Sequence, residues 1–363
     1  MQMRMSMNTK ISKNNRVMLG LSGGVDSTAA VLLLKDAGYQ VIGYYFDVTG
    51  NNAAAKASAE KAAEKLGIDL ICEDVSADFE KCVIDNFCRE YAAGRTPNPC
   101  VVCNPNIKFK KLAEAADRAG AFYIATGHYA DVVYSEDYGA YFIRRGADEK
   151  KDQSYMLYRL GQDVLSRLIL PLAHAENKEL VRAMVREKEI FNADAPDSQE
   201  ICFIDENVTY RDFLAGRGFV CEKGNFVDSE GKVLGEHSGI MNYTVGQRKG
   251  LGIALGKPAF VVKINAETNE VVLGENRDLF SDCVKSTETV FTCDKLREEA
   301  KSEAGLHVKA KIRYASKPAD AVVRLYGDGR AVTTFTQPQR AATPGQSIVF
   351  YKGELLAGGG VIG

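Results

Sequence analysis

No stretch of about 18 consecutive apolar residues occurs in the 363-residue chain, so no segment is long enough to cross a bilayer as a helix. The start, MQMRMSMNTKISKNNR, lacks the apolar core of a secretory leader, and a cytoplasmic protein without membrane partners is expected. A surplus of either charge is also missing: 46 Lys+Arg stand against 48 Asp+Glu, a formal net charge of -2. A chain that coats nucleic acid by bulk electrostatics is clearly basic, so any such role must rest on local patches. There is no internal repeat and no low-complexity tract. What is present, 45% hydrophobic and 26% charged residues, suits a globular chain of two or three domains of about 150 residues each. Nine cysteines, an odd number without a dense framework, read as thiols in a reducing compartment.

The first half alternates strand-like and helix-like segments. Val17–Leu21 is a short apolar run followed by a glycine turn and a helical stretch to Leu34, with Gly38 as its stop. Val41–Val48 and IDLICEDV read as further strands, and the segments 53–67, 78–92 and 107–119 as helices; AFYIATGHYADVVY reads as one strand with polar groups at its end. This order predicts a parallel sheet with right-handed crossovers and ligand sites beyond the strand C-termini. After about residue 205 the pattern becomes mixed, and from about Asp278 short alternating runs (HVKAKIRY, AVVRLY, AVTTFTQ, SIVFY) separated by GDG and KGE turns predict a small antiparallel barrel. The expected architecture is an α/β domain over 1–205, a small mixed domain over 206–277 and a C-terminal β-barrel over 278–363.

GLSGGVDS, Gly20 to Ser27, follows the first strand and opens the first helix. Gly23 and Gly24 let the backbone approach a phosphate, the amides of Val25, Asp26 and Ser27 point at its oxygens, and the Ser22 and Ser27 hydroxyls add donors. Asp26 is a candidate ligand for the magnesium that accompanies a pyrophosphate. No G-x-x-x-x-G-K-[ST] is present, and GxGxxG is missing from this turn, which argues against the loop of kinases and GTPases and against the dinucleotide fingerprint here. SGGVDS resembles the pyrophosphatase loop of enzymes that cleave ATP to AMP and pyrophosphate.

GRTPNPCVVCNPNIKF places Cys100 and Cys103 in a Pro-constrained loop before a helix, whose amides would favour thiolate; Cys202 lies far along the chain in APDSQEICFI. A lone CxxC reads as zinc, redox chemistry or a cluster, and the absence of a second CxxC or a nearby His weakens zinc. The other six cysteines read as packing or surface residues.

Taken together, SGGVDS, GRTPNPxxxCNxxIKF, ATGHYA, KDQSYML, PDSQEICFI, VGQRKGLG and RY (313–314) resemble, in order and over nearly the whole chain, the bacterial tRNA-specific 2-thiouridylases. The resemblance implies ATP-dependent conversion of the wobble uridine of tRNA to 2-thiouridine. It places the ATP site on Gly20, Leu21, Ser22, Gly23, Gly24, Val25, Asp26 and Ser27 with Phe46 and Gly127. It makes Cys103 the nucleophile and Cys202 the persulfide carrier. Asn98, Pro99 and Cys100 would touch the target base, and His128, Lys151, Asp152, Gln153, Arg313, Tyr314 and Gln346 other parts of the tRNA. Two departures stand out. Cys100 occupies a position that is Asp in many members, so Cys100, Cys103 and Cys202 form a candidate three-thiolate set for a [4Fe–4S] cluster with one open iron. The segment after Val48 is shorter and less acidic than in many relatives.

The chemistry is consistent with this. A uridine C2 oxygen becomes a leaving group once adenylated, and sulfur then replaces it. The sulfur comes either from a Cys202 persulfide loaded by a desulfurase or sulfur carrier, with Cys103 and Cys202 ending as a disulfide, or from sulfide presented by a cluster. Between Gly305 and Arg340, seven Lys and Arg against Asp320 and Asp328 give 7 - 2 = +5, a candidate tRNA grip with Arg248 and Lys249. Two rival readings stay open: another adenylating synthetase acting on a small molecule, and a non-catalytic RNA-binding iron–sulfur protein.

Overall fold

The computed structural model describes residues 14–50, 52–188 and 201–363. They fall into two compact units. The first comprises residues up to Cys82, Cys100–Gln199 and Glu354–Leu356; the second comprises Val83–Pro99, Glu200–Gly353 and Ala357–Gly363. No helix among the described residues is long and apolar enough to cross a membrane.

In the first unit, strands β1 (Arg16–Gly20), β2 (Gln40–Asp47), β3 (Leu70–Asp74) and β4 (Tyr123–Ala125) pair in parallel. A hairpin follows, β5 (Ala130–Ser135) with β6 (Ala140–Arg145), and then the short β7 (Leu168–Ile169), which completes the sheet in the order β3-β2-β1-β4-β7. Val17, Met18 and Leu19 of β1 are fully buried, as the central strand of a parallel sheet covered on both faces requires. Helix Val25–Asp36 covers one face with Ala29, Ala30, Val31 and Leu34. Helix Ala53–Leu66 adds Ala62, Ala63 and Leu66 to the same core and ends at Gly67, whose φ of 59° is the left-handed cap conformation that glycine adopts without strain. A fully buried side chain such as Val31 or Leu34 contributes about 1.5–3 kcal/mol.

Because β2 and β4 flank β1 on opposite sides, the strand order reverses at the C-terminal end of β1. That is the crevice where ligands bind in open α/β sheets, and Leu21–Gly24 sits there. The run AFYIATGHYADVVY, expected as one strand, is two. β4 ends at Ala125, and Thr126–Tyr129 leave the sheet before β5 begins. The cause is a close approach: a Cβ on Gly127 would stand 2.9 Å from the Asp26 carbonyl carbon and 3.0 Å from Ser27 N.

Cys100 and Cys103 are helical rather than in a loop. Pro99–Cys103 is an α-helical turn, Asn104–Lys108 a π turn, and Phe109–Arg118 a further α-helix, in unbroken succession. Pro105 carries no N–H, and a widened turn at that point accommodates the missing donor. Cys103 therefore lies at the end of its turn, away from the helix N-terminal amides.

In the second unit, helix Tyr210–Gly216 precedes a sheet of β8 (Gly224–Val227), β9 (Val233–His237), β10 (Phe260–Asn265) and β11 (Glu270–Gly274), in the order β10-β11-β8-β9 around Phe226, Tyr243, Val261, Val271 and Leu273. Six antiparallel strands follow: β12 (Phe280–Phe291), β13 (Leu306–Lys311), β14 (Ala319–Leu325), β15 (Ala331–Arg340), β16 (Ser347–Lys352) and β17 (Leu355–Ile362). They run β12-β15-β14-β13-β16-β17, and β12 pairs β17 to close the barrel. Closure removes the sheet edges. It needs the glycines of LLAGGGVI, since a Cβ on Gly358 would meet Val290 O at 2.2 Å. The α/β domain, mixed middle and antiparallel barrel expected from sequence are the architecture found.

Candidate active site

The phosphate loop is tied by its own hydroxyls. Ser22 Oγ accepts from Gly24 N at 3.3 Å and lies 3.2 Å from Ser27 Oγ, which donates to Gly24 O at 3.0 Å. Gly24 caps the helix without a side-chain bond, which leaves the first-turn N–H groups directed at whatever lies beyond the loop. Gly23, at φ 77°, lies so close to Ser58 that a Cβ would be 2.6 Å from its Oγ. Around the loop is a cleft of about 230 Å³ lined by Gly20, Leu21, Ser22, Asp26, Ser27, Tyr45, Phe46, Lys108, Thr126, Gly127, His128 and Gln153. The structure thus brings Phe46, Gly127, His128 and Gln153 to the loop. Lys108, Thr126 and Tyr45 were missed, although Lys108 and Thr126 lie inside the IKF and ATGHYA motifs.

Asp26 lines the cleft and is held from two sides. Both its oxygens lie 2.5 Å from Lys178 Nζ, and Oδ1 also accepts from Tyr129 Oη at 2.6 Å. The carboxylate expected to take magnesium already has a cation beside it. Lys178, 152 residues away in sequence, gave no local signal. His128 Nδ1 lies 2.7 Å from Thr126 Oγ1, and the ring stacks on Phe109 at 5.7 Å. Burial, reinforced by the Lys108 charge, holds its pKa well below the usual histidine range, so it is a neutral ring at physiological pH.

Gln153 Oε1 accepts from Tyr129 N at 3.0 Å, which fixes its side chain beside the cleft. Asp152 is 3% exposed and accepts from Gly146 N, Ser154 N, Ser154 Oγ and Arg145 Nε. Its carboxylate is committed to the fold and organises the turn that carries Lys151 and Gln153.

Of the thiols, Cys103 is buried, and Cys100 and Cys202 are exposed, the latter on a turn closed by Ile204 N to Ile201 O. Residues 196–200 of the PDSQEICFI motif lie outside the described residues. Phe203 packs edge-on against Phe87 at 5.3 Å. Among the described residues no group of three or more His, Cys, Asp or Glu is arranged to hold a metal. A cluster held by the expected Cys100, Cys103 and Cys202 set is not shown by these residues.

In the second unit, Arg313 is exposed and Tyr314 half-buried, but Lys311 is only 8% exposed, its Nζ 5.6 Å from the Tyr314 ring centroid. Lys309 pairs with Asp320 at 2.8 Å and Arg330 with Asp328 at 3.2 Å. Both ion pairs are already subtracted in the +5, so it is the burial of Lys311 that takes an open cation from the patch. Arg248 and Lys249 are exposed on a turn whose continuation to Ala259 lines a shallow concavity of about 460 Å³. Asn98 and Pro99 are half-buried, and Gln346 is half-buried with its amide turned to the backbone of Thr96.

Three family models match in sequence order: a tRNA methyl transferase HUP domain over residues 15–206, a tRNA methyl transferase PRC-barrel domain over 211–275 and an aminomethyltransferase beta-barrel domain over 281–362. Among curated proteins, the tRNA-specific 2-thiouridylase MnmA of Carboxydothermus hydrogenoformans is 46% identical, covering 96% of this chain and 97% of its own. That of Acetivibrio thermocellus is 42% identical over 96% and 99%. MnmA 2 of Caldanaerobacter subterraneus is 43% identical over 97% and 99%. Identity at this level across all three matched regions, on a fold that places the phosphate loop at the switch point of a parallel sheet, shows that the chain belongs to the tRNA-specific 2-thiouridylase family.

Proposed function

We propose that the chain converts the wobble uridine of tRNA to 2-thiouridine with consumption of ATP. The observation that carries this reading is one continuous helical run. Cys103 closes the turn Pro99–Cys103, and the next turn ends on Lys108, which lines the phosphate-loop cleft. A thiol and a phosphate site on one rigid element serve a reaction that couples adenylation to sulfur transfer. A small-molecule synthetase has no use for the thiol, and a non-catalytic RNA binder none for the loop.

The uridine O2 attacks the α-phosphorus of ATP and pyrophosphate leaves. The first-turn amides after Gly24 and the hydroxyls of Ser22 and Ser27 hold the phosphates, with Phe46 and Gly127 beside the nucleotide. Magnesium supplies charge neutralisation to the phosphates; with Asp26 paired to Lys178, no step here depends on a protein-held ion. Sulfur arrives as a persulfide on Cys202. Its terminal sulfur attacks C2, AMP departs with the former O2, and the Cys103 thiolate attacks the Cys202 sulfur. That frees the thiocarbonyl and leaves a Cys103–Cys202 disulfide for a thiol reductant to reopen. In the variant order, Cys103 first releases hydrosulfide, which then attacks. Asn98, Pro99 and Cys100 face the base, which must leave the anticodon stack for C2 to be reached. His128, Lys151 and Gln153 meet the flanking nucleotides, Asp152 holding their turn, and Arg313 and Tyr314 meet the backbone.

The test is thiolation of unmodified tRNA with ATP, comparing a persulfide donor with free sulfide. AMP release should require tRNA and match thiouridine one to one. Cys103→Ser should lower the rate at least about a hundredfold with either donor, and Cys202→Ser with the persulfide donor. AMP release driven by a small molecule without tRNA would overturn the reading.

A further inference from the structure

The sequence resemblance makes Gln346 a tRNA contact, yet its amide is spent inside the protein. Gln346 Nε2 donates to Thr96 O at 2.8 Å and reaches Pro97 O at 3.4 Å. The same turn accepts from that segment: Thr96 N donates to Pro344 O at 2.8 Å. The segment 94–97 is held from the central sheet as well. Thr96 Oγ1 lies 3.1 Å from Thr244 Oγ1, and Gly94, at φ 68°, sits so close to β10 that a Cβ would be 2.6 Å from Ile264 Cγ2. Gly345, at φ 88°, permits the approach, since a Cβ there would stand 2.9 Å from Thr96 N. Gln346 is itself anchored, because Ile362 N donates to its carbonyl at 2.8 Å and Gly345 N donates to Ile362 O at 2.9 Å.

Every backbone hydrogen-bonding group of Thr96 is thereby matched by the turn Pro344–Gln346, and Thr96 enters Pro97-Asn98-Pro99-Cys100, the start of the helical run that carries Cys103. Two prolines make this entry stiff, so a displacement at Thr96 is passed on rather than absorbed. We infer that Gln346 is a positioning residue. Its amide, with Thr244, fixes Thr96 so that Asn98–Cys100 and the thiol turn are set before tRNA binds. This rests on the proposed function for the meaning of that turn, but the contacts exist without tRNA.

The test uses the full-length protein and the variants Gln346→Ala, Gln346→Glu (same shape, no N–H to donate) and Thr244→Val. In the tRNA-free protein, hydrogen exchange of the amides of Thr96 and residues 100–103 should quicken about tenfold in both Gln346 variants, and less in Thr244→Val. Exchange at the β13–β16 pair Ala310 and Phe350 should stay as in the wild type, which shows the barrel intact. The tRNA Kd at fixed salt should stay within twofold while kcat for thiolation falls about tenfold. Should the Gln346 variants fail to fold, Thr244→Val carries the same readouts. Unchanged exchange at 96–103 overturns the inference, and so does a tRNA Kd weakened tenfold, which would make Gln346 a tRNA ligand. If the wild-type chain thiolates no tRNA, the functional reading fails, while the exchange measurement still decides the clamp.

Discussion

Gly127→Ala puts the geometry of the phosphate loop to a quantitative test. An added Cβ would lie 2.9 Å from the Asp26 carbonyl carbon and 3.0 Å from Asp26 O and Ser27 N. All three are backbone atoms of the first helical turn, so no flexible side chain can swing away. Carbon contacts are comfortable at about 3.5–4.0 Å, and the backbone must open by roughly half an ångström or more. Overpacking of this kind costs about 1–3 kcal/mol. Opening the turn relieves the strain but moves the Ser27 amide from its phosphate-binding position. If the binding-competent conformation carries the whole cost, ATP affinity falls by about 5- to 150-fold. Gly38→Ala is the control: φ is 85° and nothing lies within 4 Å, so the left-handed backbone costs about 1–2 kcal/mol of stability without touching the loop. Calorimetric titration with a non-hydrolysable ATP analogue, beside thermal melts, separates the two. ATP binding within twofold of wild type in Gly127→Ala, or an equal loss in Gly38→Ala, would refute the reasoning.

His128 should make stability pH-dependent. Its folded pKa lies well below the unfolded value of about 6.5, so the unfolded chain binds the extra proton and stability is lost as pH falls below about 6.5. The limiting slope is about 1.4 kcal/mol per pH unit, and His128→Gln should flatten this part of the urea-midpoint profile between pH 7.5 and 5.5; an identical profile would count against it. Arg313→Glu should weaken tRNA binding and lower the log–log salt slope by about two, whereas Lys311→Glu, placing a carboxylate at a site 8% exposed, should lower the barrel's melting temperature first. Equal melts with equal tRNA losses would show that both side chains face solvent.

The strand, glycine turn and helix around Gly20–Ser27 were readable because each is local: an apolar run, two glycines and a helical period within 20 residues. The barrel was readable for the same reason, from alternation and turn chemistry. What was not readable depends on contacts between distant positions. Lys178 meets Asp26 across 152 residues, and Gln346 meets Thr96 across 250. Lys311 has the charge of a surface residue, but Tyr314 and the barrel wall cover it. The single strand expected over AFYIATGHYADVVY failed at Gly127, where a β-like composition gives way to the fit between two backbones. Asp152 illustrates a third limit: its motif singled it out, yet four donors inside the fold take its carboxylate.

The phosphate loop has no lysine of its own, and the fold supplies two. They are not equivalent. Lys178 is held by both oxygens of Asp26, so much of its charge is already offset before nucleotide arrives. Lys108 lines the cleft and pairs with no carboxylate among the described residues, and its charge is felt by the neighbouring His128 ring. An uncompensated cation beside a triphosphate gains more from the negative charge that builds on a departing pyrophosphate than one already in an ion pair. Lys108→Met should therefore lower kcat for tRNA-dependent AMP formation by about a hundredfold or more, the loss expected on removing one transition-state donor. Lys178→Met should act mainly on the KM for ATP, by loosening Asp26 and the helix start, and Lys178→Arg should restore most of it. Single-turnover AMP formation at saturating ATP separates the two. If Lys178→Met lowers the single-turnover rate as much as Lys108→Met does, the ion pair with Asp26 opens on nucleotide binding and the distinction between the two lysines fails.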